Sequence, residues 1–446
     1  MSSPRNNSAT LFGILTAWWP LAFSWLLMGI ELPMISSVVA RLPDQTVQLA
    51  AFGGVVFPLA LLVEAPVIMM LAASTALSTN SEAYQVLKRF MWRAALAMTL
   101  LHALFAFTPL YDIVLVPLLD MPEQVIEPAR HGFQLMLPWT WAIADRRFHQ
   151  GVLIRFGYRS AVAVGTVVRL VATLLVLAAG WLLQVEGALL AGAALSISTI
   201  AEAIYARIRV APVLRGQLLS SPINKVVVRG TALWKFYVPL ALTPFLVLAM
   251  QPIGAAGIDR MPNAVTSLAI WAPLSGLVFF CRSAGVAYNE VVIGHCTEPE
   301  SRHALRRFAW IAGITASGIL GVLSLPASST LWFGEIIGLK PELVELGVRN
   351  IWIALPIPLM TFLQSYYQGV IVNAHRTRFI TESVGIYALI TAGVIAAGVW
   401  SQPAHGITVV MIATTLGNMA QTSWLWLRCT RHGLENSASA VRVGEK

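Results

Sequence analysis

Residues 18–23 read Trp-Trp-Pro-Leu-Ala-Phe, and residues 237–242 read Tyr-Val-Pro-Leu-Ala-Leu. The likeness continues at an offset of 218 or 219 residues almost to the C-terminus. Its strongest anchors are Pro33 with Pro252, Pro43 with Pro262, Arg89-Phe90 with Arg307-Phe308, and Gln150-Gly151 with Gln368-Gly369. A duplicated, very apolar chain is typical of two-lobed secondary transporters.

The composition indicates a membrane protein. The 446 residues are 57% hydrophobic and only 11% charged, and the mean hydropathy is +0.71. A helix needs about 20 predominantly apolar residues to cross the hydrocarbon core. We predict an all-α polytopic membrane protein, with twelve transmembrane helices as two parallel six-helix repeats. The predicted helices are 11–39, 46–75, 90–117, 124–148, 159–182, 186–208, 232–257, 264–293, 305–332, 343–372, 379–401 and 405–428.

The two repeats define four regions of the chain. Each half has an even number of predicted helices, so both halves enter the membrane from the same side. We predict an N-terminal six-helix lobe at 1–208, a cytoplasmic linker at 209–231, a C-terminal six-helix lobe at 232–430 and a cytoplasmic tail at 431–446. The first helix lacks the features of a cleaved signal, so we expect it to remain.

Positive charge is concentrated on one side of the predicted topology. If the N-terminus is cytoplasmic, most of the 30 Lys and Arg residues fall in cytoplasmic loops, as the positive-inside rule expects. The exceptions are Arg41, Arg130, Arg260, Lys340 and Arg349 outside, and Arg169 and Arg282 within helices. The net charge of +9 then matches an anionic lipid leaflet and not a nucleic acid. We expect a monomer in the plasma membrane, in bacteria the inner membrane, with both termini cytoplasmic.

Motifs of soluble chemistry are absent from the sequence. It has no Gly-x-x-x-x-Gly-Lys-Ser/Thr loop, no His-Glu-x-x-His and no Cys-x-x-Cys. No buried charges cluster in sequence as an enzyme's acid, base and nucleophile would. We therefore expect no enzyme activity, no metal and no cofactor, apart from coupling to protons or sodium. A scaffold without transport activity stays as an alternative.

Ionisable residues inside the predicted spans are the functional candidates, because each costs at least about 2.5–3.5 kcal/mol to insert. Glu31 lies between Pro20 and Pro33 in helix 1. A proline frees a carbonyl one turn earlier and bends the helix. We predict that Glu31 is a proton, cation or substrate site on a hinge; the alternative is an acid that reaches the outer headgroups.

Glu64 and Arg282 are candidates for a contact between the lobes. The repeat places Glu64 opposite Ser283, one residue from Arg282. The two charges could form a gate in one state, unless the offset of one residue turns Arg282 away. Arg282 and Arg169 are also candidate anchors for an anionic substrate, since a guanidinium binds carboxylate or phosphate with two hydrogen bonds. Arg169 could instead snorkel to the cytoplasmic surface.

Other polar residues have alternative interpretations. His102 could relay protons or form a hydrogen-bonded contact between helices. Glu202, Glu290 and Glu382 lie near predicted helix ends beside basic loops, where we expect solvated ion pairs. We interpret the repeated Gln-Gly at 150–151 and 368–369 as a tight corner between helices.

The sequence resembles the multidrug, oligosaccharidyl-lipid and polysaccharide (MOP) exporter superfamily, with its MATE-like fold. Within it, the chain is most similar to the progressive ankylosis protein family. The residues that carry the resemblance are Pro20-Leu21, Glu31, Leu49-Ala50-Ala51-Phe52-Gly53, Trp234 and Pro239-Leu240-Ala241-Leu242. Glu31 matches the family's acid in helix 1. Arg282 does not align with the family's arginine in helix 8.

The resemblance implies secondary active export by alternating access of two lobes. The expected solute is small, organic, and anionic or amphipathic, such as citrate, a nucleotide or pyrophosphate. Proton- or sodium-coupled multidrug efflux of the MATE type is an alternative, with Glu31 as the coupling residue. A flippase for a lipid-linked precursor is a third.

Overall fold

The computed structural model describes residues 10–219, 228–296 and 299–434, and the regular structure within them is helical. Residues 220–227 of the predicted linker and 435–446 of the predicted tail lie outside the described residues. The helix before the linker continues to Val213 and then as a π-helical turn over Leu214–Leu218. It therefore extends further than the predicted lobe boundary at residue 208.

The first half of the chain forms eleven α-helices with two π-helical segments between them. The π segments are Ala51–Val56 and Tyr111–Leu115. The α-helices are α1 (Leu11–Gly29), α2 (Glu31–Val39), α3 (Gln45–Ala50), α4 (Phe57–Glu64), α5 (Met70–Leu77), α6 (Ser81–Phe107), α7 (Val116–Leu119), α8 (Glu123–Leu135), α9 (Leu137–Arg155), α10 (Arg159–Leu182) and α11 (Gly187–Val213).

The second half forms eight α-helices. It also contains a π segment at Leu331–Ile336 and a short 3₁₀ turn at Trp352–Ala354. The α-helices are α12 (Gly230–Asp259), α13 (Ala264–His295), α14 (Pro299–Ser324), α15 (Pro326–Thr330), α16 (Pro341–Ile351), α17 (Pro356–Asn373), α18 (Arg378–Ser401) and α19 (Gly406–Arg431).

Ten helical stretches in the described residues are long and apolar enough to cross a membrane. Two of the twelve predicted spans are not among them. The segment predicted at 124–148 is divided at Met136 into α8 and α9, and the segment at 405–428 forms the more polar α19. Both segments are helical, so the discrepancy concerns their apolar length and not their secondary structure.

Left-handed backbone conformations recur at the spacing of the repeat. Few non-glycine residues adopt positive φ, so their positions mark equivalent turns. The pairs are Asp44 with Asn263, Asp120 with Gly338, Gly157 with His375, and Gln184 with Gln402. A π segment precedes the second turn in both halves. The backbone thus supports the duplication that the sequence indicates.

The first predicted span is interrupted at Ile30. Helix α1 ends at Gly29 and α2 begins at Glu31. Proline has no N–H group, so Pro33 cannot donate to the carbonyl of Gly29, four residues earlier. The interruption follows from this missing hydrogen bond. Pro20, in contrast, lies inside the continuous α1.

Helix α1 packs on the second lobe. Ile14 is buried in a core cluster with Tyr288 and Val291 of α13, and the Trp18 indole Nε1 donates to the carbonyl oxygen of Ala284 at 2.9 Å. The N-terminal part of the first predicted span therefore packs in the core of the other half of the chain.

Helix α12 makes the reciprocal crossing. The Tyr237 hydroxyl donates to the carbonyl oxygen of Pro66 at 2.6 Å. The rings of Trp234 and Tyr237 meet Phe90 edge-on, with centroids 4.9 and 5.0 Å away. Each lobe thus receives a half-helix from the other. We call the end of the bundle with the start of α12 the linker end, and the end with the Asp44 and Asn263 turns the far end.

The repeated Gln-Gly does not form a corner between helices, so that interpretation was wrong. The corners lie six residues later, at Gly157 and His375. Gly151 instead allows α9 to contact α5: a Cβ atom at Gly151 would lie 1.8 Å from Ser74 Oγ and 2.3 Å from the Leu71 carbonyl oxygen.

Replacing Gly151 with alanine should lower the thermal stability of the purified protein. Its methyl group would force α5 and α9 apart, and overpacking of this kind costs about 1–3 kcal/mol. Gly385→Ala in α18 is the matched control, because a Cβ there meets nothing within 4 Å. Equal melting temperatures for the two variants would contradict the close contact.

Candidate functional site

A chain of buried charges connects four helices of the first lobe. The Arg169 Nη2 atom lies 3.1 Å from Glu31 Oε2, and Arg169 Nε lies 3.7 Å from Glu202 Oε2. The same Glu202 oxygen accepts a hydrogen bond from Arg146 Nη1. The chain therefore runs Glu31–Arg169–Glu202–Arg146 through α2, α10, α11 and α9.

All four charged residues are buried, with 1–8% of their surface exposed. An isolated charge at such a position would be very unfavourable, so burial is tolerable only where charges are paired and hydrogen-bonded. Thr173 Oγ1 donates to Glu31 Oε1 at 3.2 Å, and Gln150 Nε2 donates to Glu202 Oε1 at 2.9 Å. Glu31 is thus bound by one arginine and a neutral donor, and Glu202 by two arginines and a neutral donor.

Helical spacing explains how neighbouring residues reach the same carboxylate. Arg146 and Gln150 are four residues apart on α9, and both therefore project from the same helical face. Arg169 and Thr173 have the same spacing on α10. Gly165 of α10 lies beside Glu202 of α11, since a Cβ at Gly165 would lie 3.4 Å from Glu202 Cγ, an ordinary van der Waals distance.

Glu64 and Arg147 lie beside this chain without joining it. Glu64 is buried, and it makes no ion pair within the described chain. In the described part of the protein, no acid lies within 4 Å of the Arg147 guanidinium, and its Nε has no hydrogen-bond partner. Arg147 is half-buried.

Arg282 occupies a different electrostatic setting on α13 of the second lobe. It is half-buried, and its Nε has no hydrogen-bond partner. No ion pair links Arg282 to Glu64 or to another acid of the described chain. The predicted gate between Glu64 and Arg282 is therefore not formed in this structure.

The second lobe has neutral groups where the first has its ion pair. At the repeat spacing, Arg146 corresponds to Gln364. Gln364 Nε2 donates to Asn418 Oδ1 at 3.3 Å and to Thr422 Oγ1 at 3.0 Å. Helices α17 and α19 are therefore joined by neutral hydrogen bonds where α9 and α11 are joined by an ion pair.

His102 is placed in a contact between helices. Its Nδ1 lies 2.7 Å from Thr140 Oγ1 and its Nε2 lies 2.8 Å from the Phe133 carbonyl oxygen. The ring also stacks on Phe133 at 4.0 Å. Both nitrogens are occupied, which favours the structural interpretation over a proton relay.

The predictions for the remaining charged residues had mixed outcomes. Arg169 does not snorkel, because Glu31 and Glu202 hold it in the interior. The prediction of a solvated ion pair was wrong for Glu202, which is 1% exposed. It is confirmed for Glu382, which pairs at the surface with Arg428 and Arg378 at 2.7 and 3.2 Å.

Sequence reasoning missed Arg146, Gln150, Thr173 and Glu202 as members of the site. A signal existed for the first: Arg146 and Arg147 lie inside the segment predicted to span at 124–148, where charge is as costly as at Glu31. The prediction of a solvated ion pair for Glu202 depended on its distance from a predicted helix end. Helix α11 extends beyond that predicted end, so Glu202 lies deeper than expected.

Comparisons with solved structures define the fold. A multidrug resistance MATE family transporter of the MOP superfamily, in its inward-facing conformation, superposes with a TM-score of 0.66 over 93% of this chain and 99% of its own, at 13% identity. The chain has a MATE-like fold. The eukaryotic MATE transporter AtDTX14 gives 0.66 over 96% and 98%, at 15% identity.

A third structure with this fold is a MOP superfamily transporter from Pyrococcus furiosus, described as having a binding pocket of reverse polarity that suggests a different function. It gives a TM-score of 0.58 over 98% of this chain and 100% of its own, at 14% identity. No family model and no curated protein matches the sequence. The likeness therefore lies in the fold.

Replacing Glu202 with leucine should strongly destabilise the protein. Arg146 would lose its partner, and breaking a buried pair on one side costs about 3–5 kcal/mol. The double variant Arg146→Leu/Glu202→Leu removes both charges and leaves Arg169 paired with Glu31, so it should recover much of the loss. Thermal unfolding in detergent measures both. A double variant no more stable than Glu202→Leu would contradict the pairing.

Proposed function

We propose that the protein is a secondary active exporter that moves a small anionic or amphipathic organic solute by alternating access, with Glu31 coupling the movement to protons or sodium. One observation carries this proposal. Glu31 is the first residue after the interruption at Ile30, and its carboxylate is bound to the first lobe by Arg169 and Thr173. The helix on the other side of the interruption packs on the second lobe.

The packing between lobes supports an inward-facing state. At the far end, α3 and the following π segment contact α13 closely: a Cβ at Gly53 would lie 2.6 Å from Ala272 Cβ, and one at Gly54 would lie 2.7 Å from Leu268 Cδ2. A MATE family transporter solved inward-facing gives a TM-score of 0.66, and one solved outward-facing gives 0.60.

The proposed coupling step is local. A proton or sodium ion on the Glu31 carboxylate neutralises the charge that attracts Arg169. The contact between α2 and α10 then weakens, while Trp18 still holds α1 to the second lobe. A change at one carboxylate would thus alter how the two parts of the first span are attached to different lobes. Arg169, still paired with Glu202, would not be left without an acid.

The charges that face no acid favour an anionic solute. Arg147 in the first lobe and Arg282 in the second are half-buried, and neither has a carboxylate within 4 Å in the described chain. A guanidinium binds a carboxylate or phosphate through two parallel hydrogen bonds. A cationic drug would meet two unpaired arginines, which disfavours multidrug efflux.

The proposed orientation follows from the positive-inside rule. The linker end, with its basic loops, faces the cytoplasm, and the far end faces outward. We propose a plasma membrane protein, in bacteria the inner membrane, that works as a monomer in contact with anionic lipid.

Glu31→Gln should abolish export. The amide cannot carry the charge that pairs with Arg169 or bind the coupling ion, so accumulation of the solute outside cells should fall at least about tenfold, the factor that corresponds to 1.4 kcal/mol. Untargeted mass spectrometry of the medium, at matched membrane levels of each variant, measures this. A metabolite enriched outside only with the wild type would identify the solute.

The matched control is Glu345→Gln, because Glu345 is exposed on α16 and makes no ion pair within the described chain. It should export as the wild type does. If the media of the wild type, both variants and empty cells have the same metabolite content, the proposal of constitutive export is contradicted. Equal export by wild type and Glu31→Gln would instead remove Glu31 from the mechanism.

Arg282→Gln should weaken solute binding more than Arg282→Lys does. Glutamine removes the charge, while lysine retains it without the planar fork of donors. With the solute known, transport kinetics in vesicles should give a raised KM for both variants and the larger increase for glutamine. The exposed Arg349 on α16 supplies the control Arg349→Gln, whose KM should stay at the wild-type value. An unchanged KM in both Arg282 variants would show that Arg282 does not bind the solute.

A further inference from the structure

Two arginines at equivalent positions of the repeat reach across the lobes at the far end. Arg41 and Arg260 are separated by the repeat spacing and each follows the helix that opens its half of the chain. Arg41 Nη2 donates to the carbonyl oxygens of Glu335 and Ile336, at 2.8 and 3.2 Å. Its Nη1 donates to the carbonyl oxygen of Ile337 at 2.8 Å.

Arg260 repeats this arrangement in the opposite direction. Its Nη2 donates to the carbonyl oxygen of Leu118 at 2.8 Å, and Leu118 is the repeat equivalent of Ile336. The other nitrogen also matches. Nη1 of Arg260 donates to the carbonyl four residues earlier, Ala256, at 2.6 Å, just as Nη1 of Arg41 donates to that of Ser37 at 2.7 Å. In both arginines, this hydrogen bond to the carbonyl four residues earlier orients the guanidinium toward the other lobe.

Neighbouring polar groups add hydrogen bonds between the lobes beside Arg41. The Ser37 hydroxyl donates to the Ile336 carbonyl oxygen at 2.9 Å. Gln45 Nε2 donates to the Gly338 carbonyl oxygen at 2.7 Å, and Gln45 Oε1 accepts from the Lys340 backbone N–H at 2.9 Å. Side-chain hydrogen bonds to backbone groups therefore add to the close packing of α3 and the following π segment on α13 at the far end.

The two arginines contact different numbers of carbonyl groups in the other lobe. The turn that each arginine contacts explains this difference. Gly338 has φ of +84°, and a Cβ there would lie 2.9 Å from Arg41 Nη1. A larger residue would push the guanidinium away from its three carbonyls. In the turn that Arg260 contacts, the residue equivalent to Gly338 is Asp120, which has a side chain. Arg260 contacts a single carbonyl group there.

We propose that Arg41 and Arg260 form a two-fold symmetric latch that holds the far end of the lobes closed in this state and releases it when the transporter opens outward. The inference rests on the proposed function, because alternating access requires that opening. The acceptors are backbone carbonyls and not carboxylates, so water can replace them when the lobes separate.

Distances between spin labels at Leu183 and Ser401 test the latch. These exposed residues are repeat equivalents at the far ends of α10 and α18, so their separation should increase when the far end opens. The labels are placed in full-length protein in lipid nanodiscs, after its three cysteines are replaced with serine. We expect the wild type to show mainly the shorter distance.

The variant Arg41→Ala/Arg260→Ala should populate a longer distance. We expect about a tenfold higher ratio of open to closed protein for each arginine removed, since hydrogen bonds to a charged group are the stronger class. The effect of Arg41→Ala alone should exceed that of Arg260→Ala, because Arg41 contacts more carbonyls. The control is Arg130→Ala, since Arg130 pairs with Asp112 within its own lobe and should leave the distances unchanged.

An unchanged distance distribution in the double variant would overturn the latch. If the double variant does not fold, Gly338→Ala provides the same test with both arginines present, and wild-type distances there would overturn it equally. The measurement needs no solute, so it separates the two proposals. Opening without any export would contradict the proposed function alone, and export with an unaltered distribution would contradict the latch alone.

Discussion

The pairing of Arg169 with Glu31 and Glu202 is the interaction on which the first lobe depends. Charges buried in a membrane protein must be matched, and Arg169 matches two acids from two other helices. That requirement fixes α10 between α2 and α11. Arg146 and Gln150 then add α9 to the same carboxylate of Glu202. Four helices are positioned by the need to keep a few charges together.

Much of the fold could be predicted from the sequence, because the signals are local or repeated. Proline positions and the 218-residue spacing indicated two equivalent halves, and Pro33 indicated the interruption that the structure has at Ile30. The partners within the site could not be predicted in the same way. Glu202 and Arg169 were placed by their distance from helix ends, and such a distance does not reveal which helix lies opposite. The crossing of α1 to the second lobe left no local signal.

The two lobes are more alike in their backbone turns than in the side chains that join their helices. The left-handed turns recur at four equivalent places, and the arginine at each far-end turn is retained. The contact between α9 and α11 recurs between α17 and α19, but with Gln364, Asn418 and Thr422 in place of ions. A backbone conformation constrains only one or two residues at each turn. A charge network can instead be replaced by neutral hydrogen bonds whenever all its members change, and here an ionic contact in the first lobe corresponds to a neutral contact in the second.

The exchange of half-helices has a consequence for biosynthesis. Trp18 finds its acceptor, Ala284, only 266 residues later in the chain. At about 5–20 residues per second of translation, α1 is made roughly ten to fifty seconds before the surface on which it packs. During that interval α1 has lipid or a membrane chaperone as its neighbour, and the N-terminal half cannot complete its structure before the C-terminal half arrives. The protein is therefore assembled as a whole, and splitting the gene at the linker would yield two fragments that each lack part of their own core.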